Sequence, residues 1–110
     1  MARLPFANIS DVIIAFIDQE LMPKANELQK FTTTFVGMAI ARQARSMIEA
    51  NIDKYKFIGI ADDESLDIDL TRDLAKEAFE KSGPLNVGGV IINKDDVSTI
   101  YNIAKKYSKE

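Results

Sequence analysis

The densest group of reactive side chains in this sequence is Ala61 to Asp69, ADDESLDID, which places five carboxylates within nine residues. Carboxylates this close together could hold a hard divalent cation, or share protons as a general acid and base. A calcium loop of the EF-hand type needs oxygen ligands at its odd positions, a glycine at position 6 and a bidentate glutamate at position 12. Counted from Asp63, Ser65, Asp67 and Asp69 fall near ligand positions, but Ile68 stands where the glycine is needed and Leu74 where the glutamate is needed. Acid and base work by paired carboxylates requires crowding or burial to separate their pKa values, and a cleft to hold substrate. No pattern in the chain points to such a cleft. The stretch reads instead as a solvated acidic loop feeding the N-terminus of a helix.

Other chemistries are narrowed by composition. The chain has no cysteine and no histidine, which removes disulfides, thiolate nucleophiles, imidazole bases and zinc sites of the usual ligand types. Gly88-Gly89 follows neither the Walker nor the dinucleotide-binding glycine pattern, so it is read as a turn. The sequence therefore assigns no catalytic residue, no cofactor and no metal ligand. Arg42 and Arg45 could touch phosphates. The net charge of −3 weighs against it, because nucleic-acid binders are usually basic. Val12 to Ile17 is too short for a membrane span and is followed at once by Asp18, Gln19 and Glu20. Neither a signal peptide nor a membrane segment is expected, and the lack of cysteine fits a reducing cytoplasm.

The elements that position these residues are organised around Asn26 to Ile52, the longest run without proline or a strong turn signal. It predicts one helix of roughly 40 Å over about 26–52, long enough to cross the whole domain. At 100° per residue, Leu28, Phe31, Phe35, Met38 and Ala39 share one face, while Ile40, Ala44, Met47, Ile48 and Ile52 gather on nearly the opposite one. Two surfaces are thus expected to be covered, one of them open to a second chain. Before it, a first helix over about 10–22 is predicted with Ser10 as its N-cap and Ile9 and Ile14 as a hydrophobic staple, ended by Pro23. Its apolar residues, Phe16 and Ile17 among them, cover about half the circumference, more than one neighbour needs.

In the second half, Asp67 or Asp69 can cap a helix over about 70–82, which Gly83-Pro84 stops. Leu85 to Ile92 reads as a two-residue hairpin turning at Gly88-Gly89, with Val87 opposite Val90 and Leu85 opposite Ile92. Asn93 then caps a last helix over about 94–107, with Asp95 and Asp96 in its first turn. Phe57 to Ile60 leaves room for a third short strand. The predicted fold is α+β and mainly helical: four helices and a small hairpin. All 110 residues, 46% of them hydrophobic, form one domain with a helical hairpin over 1–52 and a helix–hairpin–helix module over 57–110.

The run KEAFEKSGPLNVGGVIINKDDVSTIYNIAKKY resembles small uncharacterised proteins encoded in prophages of Gram-positive gut bacteria. That resemblance carries no catalytic residue; it implies a phage-associated accessory or assembly role, and a virion as an alternative location to the cytoplasm. Taken together, the sequence predicts a non-enzymatic structural or protein-interaction module forming a homo-oligomer, with Phe16, Ile17, Phe31 and Phe35 as contact residues. The alternative is a small nucleic-acid-binding regulator using Arg42 and Arg45. For the acidic loop, titration calorimetry with calcium is expected to show no dissociation constant below about 10 µM, the range of sensor sites; a tighter one would mean the loop supplies ligands that the spacing does not reveal.

Overall fold

A computed structural model describes residues 2–108; Lys109 and Glu110, read from the sequence as part of a fraying tail, lie outside the described residues. The described residues hold five α-helices and two antiparallel strand pairs. In chain order these are β1 (Arg3–Pro5), α1 (Ile9–Phe16), α2 (Glu27–Ala50), α3 (Ile52–Phe57), β2 (Ser65–Asp67), α4 (Ile68–Ser82), β3 (Leu85–Val87), β4 (Val90–Ile92) and α5 (Lys94–Lys106). The α+β, mainly helical class is as expected, with one more helix than the predicted four.

The extra helix comes from a bend at Asn51. Its amide donates to both the Met47 and Ile48 carbonyls and its side chain donates to Met47, which ends α2; α3 then restarts one residue on. Residues 57–60 are consequently not a strand. Phe57 ends α3, Gly59 turns the chain at φ 78°, and the Ile60 and Ala61 amides fold back onto the Tyr55 carbonyl. Pairing begins only at Ala61, which bridges to Leu66, and β2 lies beyond it. Its partner β1 matches Leu4 to Leu66 and Arg3 to Asp67. Arg3 fastens the pair by donating from Nε to Ser65 Oγ at 2.8 Å and from its guanidinium to the Ser65 carbonyl at 3.1 Å. Strands of three residues are too short to show alternation, so this pairing left no periodic trace in the sequence.

The predicted first helix is also redrawn. Phe6–Asn8 forms a 3-10 turn that runs directly into α1, so Asn8 rather than Ser10 occupies the cap position, with no side-chain cap bond. With Asn8 at the cap, Ile9 is the first helical residue and no longer the residue before the cap, so Ile9 and Ile14 do not hold the staple positions. After Phe16 the helix widens into a π-turn over Ile17–Leu21 and tightens to a 3-10 turn over Met22–Lys24. Pro23 lacks an amide hydrogen and its ring would strike the Gln19 carbonyl in a regular helix, so α-helical continuity cannot pass it. The widened turn lets adjacent Phe16 and Ile17, and then Leu21, all reach the core.

The remaining boundaries follow their caps. Asp67 caps α4 by accepting from the Leu70 amide, and Asn93 with Asp96 forms a capping box on α5. One core collects Phe16, Leu21, Ile68, Val87, Ile92 and Ile103, so both halves of the chain contribute to it. The wide apolar arc of α1 is used within the chain, since α1 packs against α5 as well as α2.

The hairpin forms in the expected register, with Gly88 at φ 62° and Gly89 at φ 96°. Its tip lies on α2: Thr33 Oγ1 donates to the Val87 carbonyl at 3.2 Å, and a Cβ placed on Gly88 would stand 2.7 Å from the Thr33 amide nitrogen. A Cβ on Gly89 would meet only the movable Gln29 side chain, at 3.1 Å. Both positive-φ sites resist a side chain by about 1–2 kcal/mol. Gly89→Ala is therefore expected to lower the melting temperature by several degrees, and Gly88→Ala by at least twice as much because a helix backbone cannot step aside. Equal losses in paired thermal melts would show that the hairpin does not press on α2.

Candidate interaction surface

The candidate surface belongs to α2, and its placement starts at the helix N-terminus. Asn26 accepts from the Gln29 amide at 2.8 Å while the Gln29 side chain accepts from the Asn26 amide at 3.0 Å, a reciprocal box that fixes where the helix begins. A helix of 24 residues is about 36 Å long, comparable with the 42 Å longest dimension of the molecule. One side faces inward along its whole length. Thr33, Gly37 and Ala41 are buried, with Val36, Ile40, Ala44 and Ile48 half-buried beside them. Gly37 sits so close to the π-turn that a Cβ there would overlap Ile17 Cδ1 at 2.1 Å.

The opposite side is left open by the described residues. Leu28 is 77% exposed, Phe31 75%, Phe35 72% and Met38 45%. Their spacing of three, four and three residues places them in a single stripe, and Arg42, Arg45 and Glu49 continue it with the same alternation. Together these positions have the spacing of the a and d sites of a heptad. The described residues thus cover one of the two apolar faces of the long helix that the sequence expects to be covered. Residues Phe31, Thr34, Phe35 and Met38, with Glu27 and Lys30, border a shallow recess on this side.

Of the four residues expected to meet a second chain, Phe31 and Phe35 lie on this open stripe. Phe16 and Ile17 do not: both are buried in the core, 2% and 6% exposed, because α5 and α2 close over the arc that looked surplus in the sequence. Leu28 and Met38 were missing from that set; their heptad spacing with Phe31 and Phe35 was the signal that could have found them. Arg42 and Arg45 share the solvent side, and Arg45 Nε lies 3.0 Å from Glu49 Oε1.

Two other regions bear on chemistry. The acidic stretch is more ordered than a solvated loop: Asp67 is buried as a cap, and Asp62 accepts from the Glu64 and Ser65 amides and the Ser65 hydroxyl. The Glu64 amide bond, with further help from Ser65 and Arg3, holds the Asp62 carboxyl below its ordinary range. Lys56 pairs with Asp63. Among the described residues no three acidic side chains converge in a metal-binding arrangement, and no helix is long and apolar enough to cross a membrane. The second region is an apolar cavity of about 260 Å³ between α2 and α4, walled by Ile40, Ala44, Ile48, Ala75 and Phe79 and floored by α1 and α5.

No known protein family, curated protein or solved structure matches the chain.

Tyr101 lines the cavity, and burial pushes its phenol up to about 12. The folded state favours the neutral phenol, so its contribution is complete below the ordinary tyrosine pKa near 10 and is lost as pH rises from there to about 12. Titrating phenolate absorbance is expected to show one of the three tyrosines ionising last, and Tyr101→Phe is expected to remove that late component. Three coincident ionisations in the folded protein would place Tyr101 in water.

Proposed function

We propose that the chain is a non-enzymatic protein-interaction module, acting as one domain, that self-associates through the open face of α2. The observation that carries this reading is the stripe Leu28, Phe31, Phe35 and Met38. Given their exposures, these side chains present roughly 500 Å² of apolar surface, near the upper end of what a typical monomer leaves in one patch. The stripe does not serve the fold, because the inward face of the same helix already supplies the core. A surface that costs solubility and adds nothing to the core is best explained by a contact. The resemblance of residues 76–107 to prophage-encoded proteins adds a phage-associated assembly role, in the cytoplasm or in a virion.

A nucleic-acid contact through Arg42 and Arg45 is the weaker reading. Arg45 is engaged with Glu49, and both arginines continue an apolar stripe rather than join a basic patch.

Light scattering coupled to size exclusion tests the proposal. At micromolar concentration the chain is expected to show a multiple of its 12.3 kDa mass, and Phe31→Glu with Phe35→Glu is expected to reduce it to one chain with unchanged circular dichroism, since neither side chain enters the core. A single-chain mass for the unaltered protein would refute self-association. Phe16 is no use as a probe, because a charge there would unfold the core.

A further inference from the structure

Resting on that reading, we infer that the contact is a two-fold, antiparallel pairing of α2 with α2 of a second copy. The seam extends from Leu28 to Met38, with Glu27 of each copy beside Arg42 of the other.

The argument begins with the seam positions. Leu28, Phe31, Phe35 and Met38 fill two heptads with apolar side chains, and the next three seam positions are Arg42, Arg45 and Glu49. Two such helices can pair along this stripe in either direction. A parallel, in-register pair would set Arg42 against Arg42, Arg45 against Arg45 and Glu49 against Glu49 in consecutive layers, placing like charges where the seam should be dry. Sliding the copies apart to avoid this would give up the apolar layers.

The antiparallel pair escapes both costs. Four layers form in which every partner is apolar: Leu28 with Met38 of the second copy, Phe31 with Phe35, and the two symmetry-related repeats. The charged half of each stripe then passes beyond the start of the other helix. Arg42 extends past the level of Glu27 on the second copy by about three residues, or about 4.5 Å along the axis, within the span of an arginine side chain. Glu27 is exposed, and its only described ion pair is with Lys30 at 3.6 Å. The helix dipoles oppose one another in this arrangement, which also favours it.

The area is consistent with a specific contact. Two facing patches of roughly 500 Å² bury about 1,000 Å² before flanking residues are counted, the lower bound for a specific interface. The recess beside Phe31 and Phe35 offers room for a ring from the second copy.

Because the chain has no cysteine, single-cysteine variants report the direction cleanly. In the antiparallel pair the two Leu28 positions lie about 15 Å apart along the axis. Leu28→Cys alone is therefore expected to stay uncrosslinked under mild oxidation, while an equimolar mixture of Leu28→Cys and Met38→Cys yields a disulfide-linked two-chain species. Glu27→Arg and Arg42→Glu are each expected to raise the dissociation constant up to about fivefold, the range of an exposed ion pair, and the double exchange to restore it. Efficient crosslinking of Leu28→Cys by itself, or no recovery in the double exchange, overturns this arrangement while leaving self-association intact. A single-chain mass for the unaltered protein overturns both.

Discussion

The close approach that α2 permits on its inward side is the constraint from which the rest of the structure follows. Thr33, Gly37 and Ala41 present almost no side-chain bulk, so the hairpin tip and the π-turn after α1 both reach the helix backbone. Thr33 answers the cost of burying a hydroxyl by donating to the hairpin's Val87 carbonyl. The small residues let the core reach the backbone of α2, with Val36, Ile40 and Ile48 packing beside them, so the large side chains of the other face are not needed for it. Leu28, Phe31, Phe35 and Met38 are thereby left on the solvent side, where a surface for another molecule can exist without competing with the fold.

Positioning of that surface depends on two further devices. The Asn26–Gln29 box fixes the first turn of α2, and with it the rotation of the whole stripe about the helix axis. Asn51 ends the helix by drawing its own amide and side chain onto the last carbonyls. At the other end of the chain, β1 pairs with β2, and the Asn8 side chain donates to the Tyr107 carbonyl at 3.0 Å, so residues near both termini are fastened to the body. The acidic stretch belongs to this scaffold: Asp62 organises a turn and Asp67 caps α4, which accounts for two of its carboxylates without invoking a ligand.

What the sequence determined by itself is local. The cap at Asn93, the stop at Gly83, the hairpin register around Gly88-Gly89 and the existence of the long helix depend on contacts spanning a few residues, and side-chain chemistry at those positions admits few alternatives; for α4 the sequence narrowed the cap to Asp67 or Asp69, and the structure places Asp67 there. The absence of histidine and cysteine was equally plain, as was the apolar stripe from Leu28 to Met38.

Only the tertiary structure decided which apolar faces are spent on the core. In sequence, Phe16 and Phe35 look equally available; one is buried because α5 and α2 meet over it, and the other is exposed because no element among the described residues reaches that side of α2. The pairing of β1 with β2 joins residues some 60 positions apart through three-residue strands, too short for any periodicity to show. The π-turn before Pro23 turns the chain by less than 100° per residue and so keeps Ile17 and Leu21 on the core side, a change of register that a fixed 100° step cannot represent. In each case the deciding contact lies between segments distant in the chain, and burial is a property of that contact rather than of the residue.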